Sequence, residues 1–167
     1  MSKQSQPGKD GGKPTRRDAR RRAFLVLFGL TQIPAADENA LQLAYVQCPD
    51  PDAVGSMGGP AEGFAWELTR GVWANLDDLD ALVTRFSQHW KVARIAKTEL
   101  TILRLALYEM RYRADIPLKV AINEAIELAK QFGDDNSHGF INGILDAAAR
   151  AFENNEIEAR YGADQGK

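Results

Sequence analysis

The segment from Thr98 to Arg113 constrains this chain most. Leu100, Ile102, Leu103, Leu105, Ala106, Leu107 and Met110 leave almost no polar face on a helix. A helix that is apolar nearly all round must be surrounded by other elements. Arg104 and Glu109 fall inside the same segment, and charged groups so placed need hydrogen-bonding partners. This helix is therefore expected at the centre of the fold. A chain of 167 residues with 44% apolar content can bury such a core without staples. The single cysteine, Cys48, precludes an intramolecular disulfide and fits a reducing cytoplasm; with no His or second Cys near it, it is read as a bystander.

Six further helices can be read around the central one. The first begins near Thr15, where Asp18 three residues on makes a capping-box pattern. Ala19, Ala23, Val26, Leu27 and Leu30 mark its buried face. A short helix is expected over 37–46, a third from about 60 or 61 to 75, and a fourth over 76–86. Pro117 suits the first turn of the sixth. Leu118, Ile122, Ala125, Ala129 and Phe132 form its apolar line, and Gly133 ends it. Asp134, Asp135 and Asn136 form a polar loop, with Asn136 or Ser137 as the cap of a seventh helix that fades near Phe152. That loop presents a helix N-terminus, which attracts anions. Residues 1–13 are polar and Gly-rich and are expected to be a disordered basic arm; 14–152 form the helical domain and 153–167 a polar tail. The Pro- and Gly-rich stretch 48–63 reads as a long, mobile loop.

The formal net charge of −2 hides an asymmetry. Residues 1–22 hold eight cations against two acids, a net +6, which leaves −8 for the remainder. A basic start on an acidic body suits either a polyanion partner or a solubilising tail. Arg16 and Arg17 sit in the first turn of a helix, where cations oppose the helix dipole, so stability alone does not explain them. The run from Arg21 to Leu30 resembles a short export signal, but its apolar part, Ala23–Leu30, is only 8 residues long, and the helix is expected to stay in the folded protein. No segment reaches the roughly 18 apolar residues of a membrane span. Phosphate-loop, dinucleotide-binding and zinc-protease motifs are missing, and His89 and His138 suggest no triad. Nothing argues for an enzyme, and no cofactor or metal is expected. Trp66, Trp73 and Trp90 are read as core or boundary packing rather than base-stacking platforms.

Three ordered motifs carry a resemblance: RRDAR over 16–20, TELTILRLALYE over 98–109, and IPLKVAINEAIELAKQFG over 116–133 followed by SHGFINGILD over 137–146. Together they are similar to the NusB family of bacterial transcription antitermination factors. The resemblance implies an all-α bundle of about seven helices in two packed subdomains, of three and four helices. It implies binding of boxA RNA together with NusE, a ribosomal small-subunit protein, within the RNA polymerase antitermination complex, notably in ribosomal RNA synthesis. It also allows a homodimer. Carried over by position, the RNA face comprises Arg16, Arg17 and Arg20 with Asn136, Ser137 and Phe140, and Glu99 meets NusE. Phe140 could equally be a core residue, and Glu99 a dipole-favoured acid at a helix start. Asn123 and Glu124 are expected in a buried structural network. Asp18 stands where some relatives have Arg, and Asn136 where relatives often have Asp. The competing reading is a helical protein-interaction module without specific RNA binding; membrane attachment through the first helix would expose the face the fold needs.

Overall fold

The computed structural model describes residues 14–49, 59–88 and 90–161. The expectations for residues 1–13, for most of the 48–63 loop, for His89 and for the end of the tail lie outside the described residues. Among the described residues there are seven helices: α1 Arg16–Leu30, α2 Glu38–Gln47, α3 Gly63–Ala74, α4 Leu76–Phe86, α5 Lys97–Tyr112, α6 Leu118–Phe132 and α7 Ser137–Glu153, with one 3-10 turn at Val92–Arg94. No strand occurs among the described residues.

The central helix is α5. Twelve of its sixteen residues are buried, and it packs against α1, α3, α4, α6 and α7. The two charged residues in its middle both have partners: Arg104 donates twice to Asp80 at 2.7 and 2.8 Å, and the buried Glu109 accepts from Arg20 at 2.6 Å. The helix α3 passes α5 so closely that a Cβ at Gly71 would lie 2.1 Å from the Tyr108 ring. Only glycine permits that approach. One continuous apolar core runs from Ala23, Phe24 and Leu27 of α1 through α5 to Ile141, Ile144 and Leu145 of α7.

Helices α1 and α6 lie side by side and run the same way. Arg16 meets Asp115 just before α6, Arg17 meets Glu124, and Phe24 stacks on Phe132 with ring centroids 4.5 Å apart. The buried line of α6 is Ala121, Ala125, Leu128 and Ala129, with Leu118, Ile122 and Phe132 half-buried beside it. Pro117 stands one residue earlier than expected, as the N-cap of α6 rather than in its first turn. Trp66 meets Tyr45 edge-on and Trp73 is half-buried, whereas Trp90 is 55% exposed, against the packing role read from the sequence. No helix among the described residues is long and apolar enough to cross a membrane.

Candidate nucleic-acid interface

The start of α1 is built first from its cap. The Asp18 N–H donates to Thr15 Oγ1 at 3.1 Å, and the Thr15 N–H donates to Asp18 Oδ2 at 2.9 Å. Both arms of a capping box are therefore made. The Thr15 side chain and backbone hold the Asp18 carboxyl below its usual range. Asp18 is thus a helix cap, which accounts for an acid within a basic run.

The three arginines of this helix have different fates. Arg16 is half exposed, donates to Asp115 at 2.9 Å and lies 4.6 Å above the Phe64 ring. Arg17 is the most exposed of the three and is held bidentately by Glu124, at 3.1 and 3.0 Å. That pairing raises the Arg17 guanidinium further above its ordinary value. Arg20 departs from the expectation of an RNA contact. It is 4% exposed, and its Nε donates to Glu109 Oε1 at 2.6 Å. Arg20 lies one turn before Ala23 and Phe24, on the apolar stripe, so the helix carries it inward. Burial pushes the Glu109 carboxyl up to about 7, although Arg20 pulls the other way. Arg113 stands 5.2 Å from the same Phe64 ring and pairs with Asp115 and Glu67. Arg113 first, then Arg16, hold the Asp115 carboxyl well below the usual carboxylate range. One phenyl ring thus gathers three guanidiniums within 5.4 Å, with carboxylates closing the cluster.

Between α1 and α6 lies a cleft of about 300 Å³ lined by Arg17, Arg21, Glu124, Glu127, Lys130 and Gln131, among others. Glu124 is mostly withdrawn and ion-paired, as a structural role requires, but Asn123 is exposed and belongs to no buried network. The AINEA motif alternates inward and outward here because adjacent residues on a helix point 100° apart.

The second group of residues lies at the far end of α6. From Glu124 to Phe132 the helix rises about 12 Å before the loop to α7 begins. The expected RNA residues therefore fall into two clusters, and the cleft belongs to the first. At the α7 start, the Asn136 and Ser137 N–H groups donate to Asp134 Oδ1, at 2.9 and 3.1 Å. Asn136 is the N-cap residue, as expected, but it makes no side-chain cap bond; the Asp134 carboxylate accepts from the helix-start N–H groups instead. This carboxylate already occupies part of the anion-attracting helix end. Asn136 is exposed, and Ser137 is buried at 2%. The Ser137 hydroxyl donates to Glu99 Oε1 at 2.9 Å, which ties the residue expected to meet NusE to the loop expected to meet RNA. Phe140 is half-buried against the core, and its ring meets Trp90 edge-to-face at 6.0 Å and 79°. The ring thus packs on the core on one side and is left partly open on the other.

The sequence reading passed over Lys91 and Arg94, which are exposed beside Trp90, itself exposed and read there as packing. The signal was available: the run WKVARIAK over 90–97 interleaves an aromatic with three cations. It also missed the carboxylates that occupy Arg16 and Arg17, which lie about 100 residues away in sequence.

Six helices around a buried central one, with cations and aromatics grouped on their surface, define an all-α protein whose surface chemistry suits a polyanion. A profile described as the NusB family matches residues 17–150, and the chain belongs to that family. It is 59% identical to the transcription antitermination protein NusB of Oleidesulfovibrio alaskensis over 153 residues, which cover 90% of this chain and 97% of that one. A solved T. maritima NusB superposes with a TM-score of 0.72 at 34% identity, covering 87% of this chain and 100% of that one. A crystal structure of antitermination factors NusB and NusE with dsRNA contains a chain of the same fold, with a TM-score of 0.64 at 20% identity, over 81% of this chain and 96% of that one. The relatives bear a transcription-factor name and not an enzyme's, in line with the reading that the chain is no enzyme.

Proposed function

We propose that this protein is a transcription antitermination factor of the cytoplasm that binds boxA RNA together with NusE and acts within the RNA polymerase antitermination complex, notably in ribosomal RNA transcription. Close identity to a named antitermination protein over nearly the whole chain carries this reading. A shared fold with a NusB that has been crystallised with NusE and dsRNA supports the two partners. The side chains agree. Arg17 offers a guanidinium to phosphate in the α1–α6 cleft and Arg16 another beside it, and Asn136 and Phe140 offer an amide and a ring at the α7 start. Arg20 and Ser137 act from within: the first fixes α1 on α5, and the second fixes the α7 loop on Glu99.

The test is fluorescence anisotropy of a labelled boxA RNA and a scrambled control, with and without NusE, across a salt series. Preference for boxA, strengthened by NusE, is expected. The log–log salt slope is expected near −0.7 per phosphate contact, and shallower in Arg16→Ala/Arg17→Ala. Equal binding of both RNAs with NusE present would sink the reading and leave a helical protein-interaction module.

A further inference from the structure

We propose that Trp90, Lys91 and Arg94 form a second base-stacking station beside Phe140, which takes an unpaired nucleobase and its phosphate; this rests on the chain binding RNA at the α7 start. A large apolar side chain gains roughly 1.5–3 kcal/mol on leaving water, and here an exposed indole stands against a second, partly open ring rather than alone. Trp90 is 55% exposed, and it is not loose. Its backbone N–H donates to the Ser87 carbonyl at 3.2 Å, and the Ser87 hydroxyl donates to the Trp90 carbonyl at 2.9 Å, so the backbone that carries the ring is fixed. Ser87 itself is 6% exposed, so the clamp is anchored in the fold. The ring is steadied by Phe140, with centroids 6.0 Å apart.

The charge beside Trp90 selects the occupant. Lys91 and Arg94 are exposed, and neither is ion-paired to a carboxylate among the described residues. Lys97, one turn further, reaches only the Thr31 carbonyl, at 3.4 Å. Cations without internal partners beside a rigid exposed indole match a phosphate and a base: the cations meet the backbone, and the indole face takes the base. The planes of Trp90 and Phe140 differ by 79°, so bases stacked on the two rings cannot lie parallel. The bound strand turns at this point, which selects single-stranded over duplex RNA.

The experiment uses the full chain and a labelled single-stranded boxA RNA, with anisotropy read for wild type, Trp90→Leu, Trp90→Phe and Lys91→Gln/Arg94→Gln. Circular dichroism verifies each fold. Trp90→Leu is expected to weaken binding about tenfold, in the range of one lost stacked base, and Trp90→Phe to recover most of that. The double variant is expected to flatten the log–log salt slope by about 1.4, two contacts' worth. Wild-type RNA affinity in Trp90→Leu would overturn the proposal. So would a loss confined to NusE binding measured without RNA, which would make this a protein-docking surface. If the wild-type chain binds no RNA, the functional reading falls as well; if it binds and Trp90→Leu binds equally, only the station falls.

Discussion

Arg16, Arg17 and Arg20 each meet a carboxylate, whereas Lys91 and Arg94, at the other end of the molecule, carry the same sign of charge with no ion-pair partner among the described residues. The sequence draws the eye to the first region, where five arginines stand within seven residues. Yet its charge is partly spent on the fold: Glu109 takes Arg20 inside, and Asp115 and Glu124 hold Arg16 and Arg17 at the surface. The second region is poorer in charge and richer in charge that a ligand can use. A count of cations is therefore a poor guide to an electrostatic surface; what matters is which of them the fold has already neutralised.

The comparison breaks most visibly in stability. Arg20→Ala leaves the Glu109 carboxylate buried without its partner and is expected to cost about 3–5 kcal/mol in urea unfolding at neutral pH. Lys91→Ala or Arg94→Ala, at exposed positions, should stay within about 0.5 kcal/mol. Similar losses in all three would mean that the α1 pairing is not structural. The pH dependence gives a smaller effect. The folded Glu109 carboxyl titrates near 7, above its ordinary 4.5. A folded state that holds its proton more tightly is favoured at low pH, so this contribution is full below about 4.5 and is lost as pH rises through 7. Glu109→Gln should remove that decline, seen as a flatter stability curve from pH 4.5 to 7 than wild type. A wild-type decline that persists in the variant would assign it to another group.

RNA binding sharpens the contrast further. Removing Arg17 by Arg17→Ala should flatten the salt slope by less than about 0.7, because Glu124 already competes with phosphate for it. Lys91→Gln should show the full step. The smallest effect belongs to Glu124→Gln, which frees Arg17 from an exposed pair and should tighten RNA binding about twofold. Weaker binding in that variant would instead make Glu124 a positioning group for Arg17.

The helices were legible because apolar spacing decides them. The α4 bounds agree with the expected 76–86, and the central helix is one residue displaced. The Thr15–Asp18 cap was legible because its partners are three residues apart. The site was legible only in part. Arg17–Glu124 and Arg20–Glu109 join residues 107 and 89 positions apart, and no local pattern reveals such pairs. The inward turn of Arg20 could have been read, since it continues the stripe of Ala23, Phe24 and Leu27 backward by one turn. Ser137 was misplaced for a different reason: its hydroxyl suits a cap, but Asp134 folds back first and leaves it to Glu99.

The burial of α5 also governs how the molecule opens. Five helices lean on this one, so its backbone amides from Ile102 to Met110 have no local route to solvent. Their hydrogens should exchange only when the whole domain unfolds, while those at the α7 start and beside Trp90 exchange through small local openings. The two flanks can then fluctuate independently on short timescales, and the central helix sets the single slow clock by which both are lost together.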